Sequence, residues 1–80
     1  MSLRLTAEQI VTRAIDAAGE AGGIYEVEAI AVKGPGDMIF SAEDMTCLVE
    51  EYGSAGDALY AIQLEAQRRV SMVEVTARGR

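Results

Sequence analysis

The sequence predicts an α+β fold, mostly α, in one small domain over residues 1–80. Three features predict it: a capped amphipathic stretch near the N-terminus, a β-branched run between glycines, and a C-terminal stretch whose apolar residues repeat every seven positions. The expected order is an N-terminal amphipathic helix over about 7–21, a short β-hairpin over about 24–40, and a long or hinged C-terminal helix over about 42–76.

The predicted first helix begins with the sequence Thr-Ala-Glu-Gln at 6–9. In such a capping box the Thr6 hydroxyl accepts a hydrogen bond from the backbone of Gln9, and the Gln9 side chain reaches back to the cap. Apolar residues then recur along one helical face, at Ile10, Val11, Ala14, Ile15 and Ala18. Gly22 and Gly23 supply the left-handed conformations that end helices, so we expect the helix to end at about residue 21.

Residues 24–33 are rich in β-branched side chains and lie between glycines, which is typical of a strand. The alternation is imperfect, because Glu26 and Glu28 share a face with apolar residues. The sequence Gly-Pro-Gly-Asp at 34–37 predicts a tight turn, after which residues 38–40 are expected to return as a second strand. A two-stranded hairpin is not stable alone, so it must pack on a helix or pair with another copy.

The C-terminal stretch opens with Ser41, which can cap a helix, followed by acidic residues that favour a helix N-terminus. Two series of residues then repeat every seven positions: Met45, Tyr52, Leu59, Ala66 and Val73, and Leu48, Ala55, Ile62, Arg69 and Thr76. The register continues across residues 53–56 although two glycines lie there. We therefore favour one long or kinked helix over a helical hairpin, with a hinge or a loop at 53–56 as the open alternatives.

The end of this stretch carries two pairs of opposite charge four residues apart, Glu65–Arg69 and Glu74–Arg78, which support helix. Residues 70–75 are β-branched enough to form a strand instead.

The composition argues against catalysis, metal binding and cofactors. The chain has no histidine, which is the usual general base at neutral pH. Cys47 has acidic neighbours rather than the cation that activates a thiol, so we interpret it as a packing residue. The carboxylates form no calcium-loop pattern, and we interpret them as a solvated acidic face. We predict no catalytic residue, no metal site and no cofactor.

The net charge of −6 disfavours nucleic acid and anionic membrane as partners. Four arginines lie near the C-terminus, but no aromatic residues are interleaved with them as a nucleic-acid surface needs. No apolar stretch reaches the 18 residues of a membrane span. The single cysteine and the lack of an export signal predict a cytoplasmic location.

The functional hypothesis comes from the apolar surface of the predicted C-terminal helix. A helix of roughly 35 residues is about 50 Å long, more than the rest of the domain can cover, and Tyr60, Leu64 and Met72 widen its apolar surface. A chain of this size without a disulfide is often completed by oligomerisation. We therefore predict a structural or adaptor protein that forms a homo-oligomer, dimer or larger, or docks on a protein partner.

The predicted interface is a seam along that helix, made of Met45, Leu48, Tyr52, Leu59, Ile62, Ala66, Val70 and Val73. The alternative function is a regulatory binding module, inhibitor or antitoxin-like, whose acidic segment 43–57 covers a basic target.

Overall fold

A computed structural model describes residues 5–36 and 38–78 of the chain, with the backbone alone for residues 74–78. Over that part of the chain the fold consists of three helices: α1 (Ala7–Lys33), α2 (Ala42–Tyr52) and α3 (Ala55–Arg78). α1 and α3 form the most extensive packed pair, and α2 packs on both. The predicted α+β class is wrong, because the described residues contain no strand.

The start of α1 confirms the predicted capping box. The Thr6 hydroxyl accepts a hydrogen bond from the Gln9 backbone at 3.1 Å, and the Gln9 carboxamide oxygen accepts one from the Thr6 backbone at 2.9 Å. These two bonds satisfy backbone donors that have no partner inside the helix. The apolar face that follows is buried at Ile10, Val11 and Ile15.

Gly23 breaks the helix close to the predicted end at residue 21, and a second helical part of α1 follows it. Its backbone angles, φ 68° and ψ −163°, lie in a region open to glycine and strained for other residues. The chain turns sharply at Gly23. A close approach shows this turn: a Cβ placed on Gly19 would lie 3.7 Å from a methyl group of Val27. In a straight helix the rise between residues eight apart is about 12 Å. The second part of α1 therefore packs back towards the first.

The predicted hairpin over 24–40 is wrong because residues 24–33 continue α1. Val27, Ile30 and Ala31 are buried at helical spacing, while Glu26 and Glu28 are exposed. The two glutamates that broke the strand alternation thus lie on the solvent face of a helix. Tertiary packing of this apolar face outweighs the β-propensity of the individual residues.

The predicted turn does form after α1, although Asp37 lies outside the described residues. Gly34 has a φ of 87° and donates its N–H to the Ile30 carbonyl at 2.8 Å, which closes the last turn of α1. The backbone N–H of Met38 then bonds to the Pro35 carbonyl at 3.0 Å. Residues 38–40 connect α1 to α2 without strand pairing.

The predicted long helix over 42–76 is two helices. Ser41 caps α2 as expected, accepting from the Asp44 backbone at 3.1 Å. α2 ends where Gly53 adopts a left-handed φ of 98°, and the Ser54 hydroxyl starts α3 by accepting from the Asp57 backbone at 3.1 Å. The seven-residue register survives this break because both helices turn an apolar face to the same core.

α3 remains helical through residue 78, so the strand alternative for 70–75 is wrong. The Glu74–Arg78 pair lies outside the described side chains, whereas the Glu65–Arg69 pair is confirmed, with 2.7 Å between Arg69 Nε and a Glu65 carboxylate oxygen.

The core is apolar and built from all three helices. Its buried members are Ala7, Ile10, Val11, Ile15, Val27, Ile30, Ala31, Leu48, Ala58, Ile62 and Ala66. The alanines of α3 leave room for the neighbouring helices to approach closely.

Side chains of α3 also form hydrogen bonds with the C-terminal end of α1. The side-chain amides of Gln63 and Gln67 donate to the Ala31 carbonyl at 3.1 and 3.0 Å. Carbonyls in the last turn of a helix have no intrahelical partner. These two glutamines of α3 therefore supply hydrogen-bond donors to a carbonyl at the end of α1.

Candidate interaction surfaces on α3 and α2

The eight predicted interface residues differ widely in exposure. The fully buried members are Leu48, Ile62 and Ala66, at 0%. The members partly buried against that core are Tyr52, Leu59 and Val70, and Met45 is half-buried as well. Val73 alone of the eight is an exposed large side chain, at 52%. Helices of the same chain therefore cover most of the predicted seam.

The apolar surface that α3 leaves exposed lies beside this seam and beyond it. Among the side chains that the structure describes, its large members are Tyr60 (58% exposed), Leu64 (44%), Met72 (52%) and Val73 (52%), which we call the α3 apolar patch. Tyr60 and Leu64 are one helical turn apart on the same face. Met72 lies further along the helix, about 80° around it from Leu64, and Val73 lies about 180° around it. Contiguous exposed apolar surface marks a site for contact, so the neighbouring pair Tyr60 and Leu64 is the centre of this surface.

An ion-pair cluster beside this patch balances the charge of α3. Glu65 binds Arg68 at 2.6 Å and Arg69 at 2.7 Å, and Arg69 also reaches Asp16 of α1 at 2.7 Å. The hydrogen bonds from Arg68, followed by those from Arg69, hold the pKa of Glu65 below its usual value against the opposing effect of burial. The pKa of Arg69 is raised by its hydrogen bonds to Asp16 and Glu65. The ion pairs thus favour the charged forms of Glu65 and Arg69.

Arg68 lies between the two parts of the α3 apolar patch. Its guanidinium binds Glu65 and also donates to the Met72 sulfur at 3.1 Å. The charge at this position is therefore offset by a neighbour on the same helix, and the stem of Arg68 adds apolar surface to the patch.

A shallow groove of about 340 Å³ lies between α3 and the other two helices, lined in part by Val11, Tyr52 and Leu64. Partial burial, followed by the charge of Glu51, raises the pKa of the Tyr52 phenol. Tyr52 is therefore a neutral side chain at this groove, suited to packing and hydrogen bonding.

The acidic segment 43–57 runs along α2 into the start of α3. Its carboxylates Glu43, Glu50, Glu51 and Asp57 are exposed and Asp44 is half-buried, and the segment contains no basic residue. This surface would attract a basic partner and repel a second copy of itself.

Cys47 is half-buried against the core. Its thiol donates a hydrogen bond to the Leu5 carbonyl, with 3.7 Å between sulfur and oxygen. Within residues 5–36 and 38–78, no three His, Cys, Asp or Glu side chains are placed to hold a metal ion together. No helix in the described part of the chain has an apolar stretch that could cross a membrane.

Comparisons with protein-family models, with curated protein sequences and with solved structures find no significant match to this chain.

Proposed function

We propose that this protein is a small structural or adaptor protein without catalytic activity, which self-associates through the α3 apolar patch. The observation that carries the proposal is the exposure of four large apolar side chains on one helix, Tyr60, Leu64, Met72 and Val73, each between 44% and 58%. Burying apolar surface of this kind gives about 25 cal/mol per Å². A contact between two copies centred on Tyr60 and Leu64 would remove such surface from water on both copies.

The charges of α3 support a second copy as the occupant. The sequence of Ala55–Arg78 carries three acidic and three basic residues, so the helix is neutral overall. Two copies can therefore meet at α3 without net repulsion. α2 carries four acidic residues and no basic one over Ala42–Tyr52, which makes a contact between two α2 helices unfavourable.

The size of the chain supports the same proposal. A domain of 80 residues buries only about 60–65% of the surface that its unfolded form exposes. The single cysteine allows no disulfide within the chain. Burial against a second copy is then a direct way to add to a marginal core.

The test is the native mass by size exclusion with light scattering, at several protein concentrations and two salt levels. The variants are Leu64→Asp, which places a charge in the α3 apolar patch, and Ile39→Asp, which places one on a side chain that is 92% exposed outside α3. We expect a salt-resistant dimer or larger species whose dissociation constant rises at least about ten-fold in Leu64→Asp. Ile39→Asp should keep the wild-type mass.

Circular dichroism checks that both variants remain folded, and Tyr60→Ser replaces Leu64→Asp if that variant unfolds. A wild-type protein that is monomeric at every concentration would rule out self-association. Equal dissociation of both variants would show that any contact lies elsewhere.

The exposed acidic residues on α2 favour a second candidate function, a regulatory module that covers a basic target with segment 43–57. Such a module would bind its target less tightly as salt increases, whereas the apolar contact between copies would persist. Salt dependence therefore separates the two functions.

We place either function in the cytoplasm. The lone Cys47, packed as a free thiol, suits a reducing compartment.

A further inference from the structure

A second groove lies away from the α3 apolar patch, between the first part of α1 and the connection from α1 to α2. It has a volume of about 1180 Å³ and opens to solvent along its length. One wall is formed by four alanines of α1, Ala14, Ala17, Ala18 and Ala21. Their spacing of three, four and seven residues places them on one face over two helical turns.

The rest of the lining is largely apolar as well. It includes Met38, Ile39 and Phe40 from the connection, with Ile30 of α1 also lining the groove. Met38 and Phe40 are partly buried against the core, whereas Ile39 is 92% exposed at the edge of the groove. An isoleucine held in water beside an apolar groove is available for contact with a further chain.

The edges of the groove carry charge of mainly one sign. Its charged lining residues are Asp16, Glu20, Glu26, Asp44 and Arg13. Asp16 already binds Arg69, which leaves three other carboxylates and one guanidinium around the opening. This field attracts a basic ligand and repels phosphate-bearing ligands such as nucleic acid or anionic lipid.

We propose that this groove is a docking site for a basic amphipathic helix of a partner protein. The alanine wall has no long side chains, so a helix can approach α1 closely, at the 8–10 Å axis separation typical of packed helices. Two turns of α1 cover about 10 Å. The bound helix would therefore insert apolar side chains at positions i, i+3 or i+4, and i+7, with lysines or arginines facing Glu20 and Glu26.

Charge disfavours a second copy of this chain as the occupant, because no described helix carries a net positive charge over its length. α2 is acidic and α3 is neutral over its length. α1 carries Arg13 and Lys33 against five acidic residues between Ala7 and Lys33. Charge complementarity therefore selects a different protein as the partner.

The probe is a synthetic peptide of about 14 residues made of Leu, Ala and Lys, with leucines on one helical face, long enough to span the alanine wall with a turn at each end. Its controls are a scrambled peptide of the same composition and a version with Glu in place of Lys. Binding is followed by fluorescence anisotropy, and the contacted residues by NMR chemical-shift changes. We expect saturable binding of the Lys peptide, with the largest shifts at Ala17, Ala21 and Ile39.

Two pairs of variants locate the binding. The charge pair compares Glu20→Lys/Glu26→Lys at the groove with Glu50→Lys/Glu51→Lys on α2, which changes the net charge equally. The steric pair compares Ala17→Trp, which fills the groove, with Ala29→Trp at an exposed alanine outside it. Each groove variant should weaken the Lys peptide at least about ten-fold, and each control should stay within about two-fold of the wild type.

Several outcomes would overturn the proposal. These are the absence of saturable binding by the Lys peptide, equal binding of the scrambled or Glu peptide, and equal losses in the groove and control variants. Shifts at the groove that grow with protein concentration in the absence of peptide would assign it to a second copy instead. The Leu64→Asp variant should bind the peptide as the wild type does, so the failure of either proposal leaves the other standing.

Discussion

Gly23 and Gly19 lie one helical turn apart in α1, but substitution should affect them in opposite directions. Gly23 has positive φ with ψ near 180°, and no atom lies within 4 Å of an added Cβ. The penalty for a side chain there is conformational, not steric. Gly19 is helical, and an added Cβ would meet only the Val27 side chain at an ordinary 3.7 Å.

We predict that Gly23→Ala lowers the free energy of unfolding by about 1–3 kcal/mol, whereas Gly19→Ala raises it by about 0.5–1 kcal/mol. Urea denaturation of the two variants and the wild type provides the measurement. D-alanine at position 23, introduced by chemical synthesis, should be tolerated because its mirror-image backbone preference matches the observed angles. Destabilisation by D-alanine as large as that by L-alanine would contradict this explanation.

At the scale of the helices, the sequence predicts where helices begin, but it does not decide whether residues 24–33 form a helix or a strand. The caps at Thr6 and Ser41 could be predicted because they depend on residues three positions apart. The sequence Ser54-Ala-Gly-Asp57 carries the same kind of signal and starts α3, but the continuous seven-residue register masked it. Residues 24–33 carry both β-branched composition and a helical spacing of buried positions, and only packing against α3 selects between them.

The predicted seam illustrates a second limit, again at the scale of the helices. Periodicity identified Leu48, Ile62 and Ala66 as positions that must be covered, and the structure buries all three. Periodicity carries no information about whether the covering helix belongs to the same chain or to another one. Here the cover comes from the same chain, because α1, α2 and α3 pack on one another around a single core.

Arg69 adds an ion pair to the apolar contact between α1 and α3, because it binds Asp16 across the two helices and Glu65 within α3. The Arg69 side chain is 28% exposed, whereas that of Arg68 is 58% exposed. In the described ion pairs, Arg68 binds one carboxylate, that of Glu65. We predict that Arg69→Ala lowers the free energy of unfolding by about 1 kcal/mol. Arg68→Ala should lower it less, because its ion pair with Glu65 lies within α3.

Urea denaturation of the two variants tests this difference. An equal loss in both would mean that the bridge to Asp16 adds nothing to stability.

For the molecule as a whole, Glu65 should make stability depend on acid pH. Its pKa is lowered in the folded state by Arg68 and then Arg69, so its ionised form stabilises the fold. This contribution is fully present above the ordinary glutamate pKa of about 4.3. It is lost as the pH falls through the lowered value in the folded protein.

We predict that Glu65→Gln is less stable than the wild type near pH 7 and that the difference shrinks below about pH 4. Unfolding by urea across this pH range gives the measurement, with Glu50→Gln, an exposed residue of α2, as the matched control. A difference between Glu65→Gln and the wild type that stays constant with pH would assign the loss to packing instead of charge.

The bonds from Gln63 and Gln67 to Ala31 join residues 32 and 36 positions apart, and this spacing matters during synthesis on the ribosome. A nascent chain that has released only α1 and α2 lacks Ala58, Ile62 and Ala66, three buried members of its core. Its apolar faces then have no partner helix and are open to chaperones and proteases. The chain should therefore become protected in one late step, once the first three turns of α3 have emerged.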